Sequence, residues 1–324
     1  MIKRKALIVG IDNYPNAKLK GCVNDAKSIA SLLEKNEDDS PNFDVRLECN
    51  VPTKGKLKTY IKDLFSGNAS VALFYFSGHG YSIDNENGIV TPDFSEGDMG
   101  ITAGDLLEIA NDSQIENKII ILDSCFSGSM GGSEPLKSNI SAISKGLTIM
   151  TASSEKEPSL ERGGHGLFTS LFIKALEGYA SDIMGNITPA GIYSFIDQTL
   201  GPWDQRPIFK TNTQNFYYLR KSTPDVSLDV LRRIKNYFET ENSEFELDPS
   251  YEFTNSPKEK HYIKKPYASS ENVSKFKELQ LYQKIGLVEP VDEDYMYFAA
   301  MNNKSCRLTF LGKRYFELAK DGKI

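Results

Sequence analysis

Cysteine is scarce and dispersed: Cys22, Cys49, Cys125 and Cys306 are the four in 324 residues, and no Cys-x-x-Cys pair occurs. That excludes a disulfide framework and a zinc site of paired thiols, leaving free thiols as the expectation. Long apolar runs are missing too. The stretch Lys118 to Leu122 stops at Asp123, far short of the roughly 20 residues that cross a bilayer, so no membrane span is expected. The start, Met-Ile-Lys-Arg-Lys and a short apolar stretch before Asp12, lacks the length and cleavage site of a secretory signal, which predicts a cytoplasmic protein. No basic block accompanies the net charge of −6, so neither nucleic acid nor an anionic membrane finds an electrostatic footprint. The charge fits mildly with cationic substrates. With 40% apolar and 25% charged residues and no long biased tract, the chain reads as soluble and globular, either two domains or one large α/β domain with an appendage.

What is present alternates between strand and helix. Ala6 to Ile11 reads as a buried strand ending at Asp-Asn-Tyr-Pro. A helix follows from Asn24 to Leu33, with Ala26, Ile29, Ala30 and Leu33 at helical spacing and Asn24 and Asp25 suited to its first turn. Val45 to Leu47 offers a short second strand. Thr53 can cap a helix through Leu57, Ile61 and Leu64, before the strand Val71 to Phe76 runs into Ser77-Gly78-His79-Gly80. After a polar loop from Asp84 to Gly100, Thr102 opens a short helix and Lys118 to Leu122 forms a strand stopping at Asp123-Ser124-Cys125. Leu147 to Ala152 reads as a strand, Gly166 to Leu176 as a helix ended by Gly178, and Thr188-Pro189 as a capped helix start. This rhythm predicts a mostly parallel sheet flanked by helices, with reactive groups beyond the carboxyl ends of its strands.

The rhythm breaks near residue 222. Residues 1–222 read as one α/β domain and 223–270 as a connector punctuated by Pro249, Pro257 and Pro266. Residues 271–324 read as a small α+β, winged-helix-like module: a helix from Val273 to Ile285, strands Tyr295 to Met301 and Cys306 to Thr309, and a last helix through Phe316. Sixteen Lys/Arg against seventeen Asp/Glu over 225–324 argue against a duplex-DNA reader and for protein recognition.

A thiol nucleophile needs a base within hydrogen-bond reach, and His79 and Cys125 stand at the ends of two predicted parallel strands. Small residues flank both, where a substrate backbone must come close. The backbone N–H groups of Gly80 and Cys125 are natural oxyanion donors. His165 and His261 lack a matching cysteine context and read as surface or helix-flanking residues; Cys22, Cys49 and Cys306 read as inert.

Phe-Ser-Gly-His-Gly and Leu-Asp-Ser-Cys-Phe-Ser-Gly resemble the two catalytic blocks of caspase-like cysteine peptidases, closest to metacaspases and their bacterial, orthocaspase-type relatives. The 46-residue offset between His79 and Cys125 agrees with that resemblance. So do Leu19 to Ala26, Thr151-Ala152-Ser153, Gly166 to Thr169 and Thr188-Pro189-Ala190, in order, over about residues 3–220. The resemblance implies a Cys/His dyad acting through an acyl-enzyme. It also implies a pocket of Asp25, Ser77 and Asp123 for the residue before the scissile bond, where two carboxylates favour Arg or Lys. On the residues alone, Asp25 also suits a helix N-terminus and Asp123 a turn cap.

Family members are often switched by cutting the loop after the nucleophile, where Lys137 and Lys145 are candidate sites. Some metacaspases need calcium, and Asp84, Glu86 and Asp93, with Glu96 and Asp98, offer oxygen ligands, but no Asp-x-Asp-x-Asp-Gly loop is present. The expectation is no required cofactor, that acidic stretch serving as a solvated face. The resemblance further suggests a regulated bacterial effector of defence or stress response, switched by a protein sensor or activator on residues 225–324. A catalytically silent scaffold acting through that segment and a winged-helix regulator of DNA are the competing readings.

Overall fold

A computed structural model describes residues 3–83, 86–124, 143–152, 166–204, 206–258 and 262–324. The chain divides into two compact units, 1–223 and 224–324.

In the first unit, β1 (Arg4–Gly10), α1 (Cys22–Glu34), β2 (Asp44–Cys49), α2 (Lys54–Phe65) and β3 (Val71–Ser77) follow the predicted alternation. Next come β4 (Gly80–Ile83), β5 (Glu86–Ser95), β6 (Asp98–Thr102), α3 (Ala103–Asn111), β7 (Asn117–Asp123) and β8 (Leu147–Thr151). The unit closes with α4 (Leu167–Lys174), β9 (Asn186–Ile187), α5 (Pro189–Thr199), β10 (Ile208–Thr211) and β11 (Arg220–Lys221). The central sheet has the order β10-β8-β7-β3-β1-β2; its pairs are parallel except for the antiparallel edge strand β10.

The all-apolar strands have a reason: both faces of this sheet are covered. Alternate residues of β3 point opposite ways. Ala72, Phe74 and Phe76 join a core with Leu57 and Ile61 of α2 and Leu106 of α3, whereas Val71, Leu73 and Tyr75 join one with Ile29 of α1, Phe172 of α4 and Ile192 of α5. Thr53, Thr102 and Thr188 cap their helices as their sequences suggest. The stretch 84–100, expected as a polar loop, instead contributes most of the antiparallel sheet β4-β5-β6. Ile89, Val90 and Ile101 are buried there, an apolar pattern too sparse to announce a strand.

The second unit contains α6 (Leu228–Arg233), β12 (Glu244–Glu246), α7 (Ser270–Lys284), β13 (Val288–Pro290), α8 (Met296–Met301), β14 (Ser305–Leu308) and α9 (Phe310–Lys320). Its antiparallel sheet runs β12-β14-β13. Two expectations are corrected here. From residue 224 on, the segment expected as a connector (223–270) is part of this unit, since β12 pairs with β14 and the buried Asn255 side chain donates to the carbonyls of Pro249, Lys264 and Pro266. The short apolar run at 295–301 is helix, burying Met296, Ala299 and Ala300 at i, i+3 and i+4.

Helix α1 lies close to the end of β1 because residue 10 is glycine. A Cβ there would sit 2.3 Å from the Cys22 carbonyl oxygen and 2.8 Å from Ala26 Cβ. Gly10→Ala should therefore cost at least about 1–3 kcal/mol, read as a lowered urea midpoint. An unchanged midpoint would show that α1 is not held so tightly.

Candidate active site

Strands β3 and β7 run parallel with Ser77 opposite Asp123, and the Gly78 N–H extends the ladder to the Asp123 carbonyl at 3.3 Å. His79 therefore stands at the carboxyl edge of the sheet, two residues past β3. Strand β7 continues into buried Ser124, one residue before Cys125. Cys125 itself lies outside the described residues, as do Lys137, Asp84, His165 and His261.

The imidazole is held from three sides. Its backbone N–H donates to the Tyr14 hydroxyl at 3.1 Å, that hydroxyl donates to the Val90 carbonyl at 3.3 Å, and Val90 N–H returns a bond to the His79 carbonyl at 2.8 Å. The Tyr14 ring meets the imidazole edge-on, with centroids 4.6 Å apart. Nε2 lies 2.6 Å from the Ala17 carbonyl oxygen. A carbonyl can only accept, so Nε2 carries a proton and Nδ1 is the basic nitrogen of the neutral ring. Residue 78 must be glycine, because a Cβ would fall 2.6 Å from the Tyr14 hydroxyl and 2.7 Å from the Phe76 ring. Sequence reasoning missed the Ala17 carbonyl: a main-chain acceptor leaves no side-chain signature. Gly80, the other oxyanion candidate, opens β4 opposite Ile89.

Asp25, Ser77 and Asp123 come together. Asp25 and Ser77 are 3% and 2% exposed, and Ser77 Oγ donates to Asp25 Oδ2 at 3.2 Å. Asp123 Oδ2 accepts from Thr169 Oγ1, itself 2.6 Å from the Tyr75 hydroxyl. Burial, with the Asp25 carboxylate adding to it, pushes the Asp123 carboxyl up to about 7 against the hydrogen bonds of Thr169. Asn24 and Asp25 lie in the first turn of α1, as expected, and Asp12 serves the start of that helix from outside it. Asp12 accepts from the N–H groups of Cys22 at 2.9 Å and Val23 at 3.3 Å. Cys22 stands beside this cluster; burial pushes its thiol up to about 12 despite a hydrogen bond with Ser77, with Asp12, Asp25 and Asp123 adding to the rise. It remains a protonated thiol at neutral pH.

The acidic stretch has structural tasks. Asp93 accepts from Lys54 N–H at 3.0 and 3.1 Å at the start of α2, and Asp98 pairs with Lys54 Nζ at 2.7 Å. Glu86 is exposed at the start of β5. Among the described residues no group of three or more His, Cys, Asp or Glu side chains could hold a metal ion. Lys145 is exposed in the turn before β8. No helix among the described residues is long and apolar enough to cross a membrane.

The family model of the caspase domain matches residues 3–217. Among solved structures, protein GSU0716 from Geobacter sulfurreducens is similar with a TM-score of 0.50 at 16% identity, covering 68% of this chain and 97% of that one, a likeness of fold. No curated protein matches the chain.

Between its ordinary value of 3.8 and about 7, Asp123 holds a proton in the folded protein that the unfolded chain releases. Its contribution to stability therefore falls as pH rises across that window and is flat above it. Asp123→Asn should leave Tm near wild type at pH 4.5 and raise it at pH 8, by about 2–4 °C per kcal/mol relieved. Equal Tm differences at both pH values in a thermal melt would contradict a raised Asp123.

Proposed function

The chain belongs to the caspase-domain family of cysteine peptidases, and from that premise we propose an endopeptidase that cleaves after Arg or Lys with Cys125 as nucleophile and His79 as its acid-base partner. The observation that carries this reading is the placement of two carboxylates, Asp25 and Asp123, beside Ser77 at the sheet edge that bears His79.

In this mechanism Nδ1 of His79 takes the thiol proton while Nε2 stays bonded to the Ala17 carbonyl. The thiolate adds to the scissile carbonyl, whose developing oxyanion meets the backbone N–H groups of Gly80 and Cys125. His79 then delivers the proton to the leaving amine, and water, activated by the same nitrogen, hydrolyses the thioester. The residue before the scissile bond enters the pocket of Asp25, Ser77 and Asp123, where a guanidinium or ammonium offsets the crowded carboxylates and an acidic side chain would add a third.

Control of this activity, in the same reading, comes from self-cleavage at Lys137 or Lys145 and from a protein activator that contacts residues 225–324. A regulated bacterial effector of defence or stress response, working in the cytoplasm without a required cofactor, fits these features. Exposed Phe310 and Leu311, beside a cavity of about 440 Å³ lined by Glu244, Arg307 and Lys313, suit the contact with an activator.

Purified full-length protein should turn over Arg and Lys peptides and leave matched Asp peptides intact, with and without calcium. Cys125→Ala and His79→Ala should abolish turnover. Asp25→Asn or Asp123→Asn should lower kcat/KM for Arg peptides by about 10- to 1000-fold, as expected for removal of one partner of a buried charge pair. Preference for Asp peptides, or turnover that survives Cys125→Ala, would refute the assignment. Intact mass after incubation beside Cys125→Ala tests self-cleavage; identical masses under activating conditions would remove that step. Absence of turnover with any peptide, combined with partner binding through 225–324, would favour the silent scaffold.

A further inference from the structure

Behind the pocket, a line of hydroxyl groups runs from Asp123 into the core. Thr169, in the first turn of α4, is fully buried and donates to Asp123 Oδ2. Tyr75, on the face of β3 that packs against α1 and α4, is equally buried, with its hydroxyl 2.6 Å from Thr169 Oγ1. Each hydroxyl has one proton to give. If Thr169 donates to Asp123, Tyr75 donates to Thr169, and every donor on the line is satisfied. If Asp123 were the donor, the line would reverse and the Tyr75 proton would have no acceptor among the described residues. Burial holds the phenol well above its usual 10, so that proton stays in place.

A proton on Oδ1 would still leave Oδ2 free to accept, but the bond from Thr169 is stronger to a carboxylate than to a neutral acid and so favours ionised Asp123. This matters because two carboxylates share the pocket, and burial together with Asp25 works the other way. The groups facing Asp123 are Asp25 and Cys22 from α1, Ser77 and Tyr75 from β3, and Thr169 from α4. No cation among the described residues offsets its charge. Thr169 supplies the opposing hydrogen bonds, from its hydroxyl and from its backbone.

We propose that Thr169, backed by Tyr75, is a positioning residue that keeps Asp123 charged and aimed into the pocket, and thereby sets the preference for a cationic residue before the scissile bond. The proposal rests on the basic-pocket reading above. It assigns Thr169 no part in bond making: the hydroxyl touches neither the substrate nor the reacting atoms, and acts through Asp123.

The test compares kcat/KM for peptides carrying arginine or its neutral isostere citrulline at the cleavage position, from pH 5.5 to 9, with full-length wild type, Thr169→Val, Thr169→Ser and Tyr75→Phe. Iodoacetamide alkylation of Cys125, followed in parallel, reports the titration of the dyad. In wild type the arginine-to-citrulline ratio should rise with pH through about 7, the value set for Asp123. Thr169→Val should move that rise to higher pH and lower the ratio at pH 7, about fivefold for the first unit of displacement and about tenfold for each further one, chiefly through KM. Thr169→Ser should restore the wild-type profile, because it keeps the hydroxyl. Tyr75→Phe should fall between them.

A ratio and profile unchanged in Thr169→Val would overturn the proposal, as would a loss that tracks the alkylation rate or that serine does not repair. If the valine variant fails to fold by circular dichroism, Tyr75→Phe decides by the same criterion: a displaced profile supports the line of hydroxyls and an unmoved one refutes it. A wild type indifferent to arginine versus citrulline would fail the basic-pocket reading itself. A wild type that discriminates, beside a Thr169→Val that discriminates equally, would fail only the role given to Thr169.

Discussion

Everything at this site depends on the in-register parallel pairing of β3 with β7. Ser77 opposite Asp123 sets two neighbouring chain ends at the same height on one sheet edge, one leading to His79 and the other to Cys125. A parallel ladder leaves both strands at the same edge without closing them into a hairpin, and the chain that departs there is free to be shaped by chemistry. A one-residue slip would reverse the faces of β7, sending Ile119 and Ile121 to the α2 side and Asp123 away from Thr169. The continuous apolar core on both faces therefore also sets the register of the site.

The pocket illustrates a conflict that folding alone would not choose. Three side chains that would each prefer water, Asp25, Ser77 and Asp123, are gathered where α1, β3 and β7 converge. Two nearby carboxylates with little solvent repel each other, which costs stability as soon as both ionise. Hydrogen bonds from Ser77 and Thr169 reduce that cost without removing the charge. In the proposed reading, that crowding of carboxylates is what a cationic substrate side chain would relieve. The histidine follows the opposite logic: Tyr14, Val90 and the Ala17 carbonyl surround it with neutral partners that fix orientation and tautomer.

Legibility in the sequence followed the strength of local patterns. The inner strands of the central sheet stood out because doubly covered strands are continuous apolar runs, whereas the half-exposed edge strand β10 went unread, and helix starts stood out where a threonine cap sat in place, at Thr53, Thr102 and Thr188. Weak or ambiguous patterns failed. The strands at 86–102 alternate too irregularly to be seen, and the apolar run at 295–301 is too short for its period to separate helix from strand. The segment 223–270 looked like a connector because its order comes from long-range pairing of β12 and from the carbonyls that Asn255 gathers.

By itself the sequence marked the residues on which the proposed chemistry rests, a histidine and a cysteine after apolar strands, and the family resemblance added the carboxylates at 25 and 123. Those are local facts, carried by residue type and by the period of the chain. Only the tertiary structure decided what surrounds them. Asp12 capping α1, the Ala17 carbonyl on His79, and the line from Tyr75 through Thr169 to Asp123 join groups from separate elements, up to 94 residues apart. Such contacts have no spacing rule along the chain, because the sheet and its two covering layers, not the local backbone, bring them within hydrogen-bond reach.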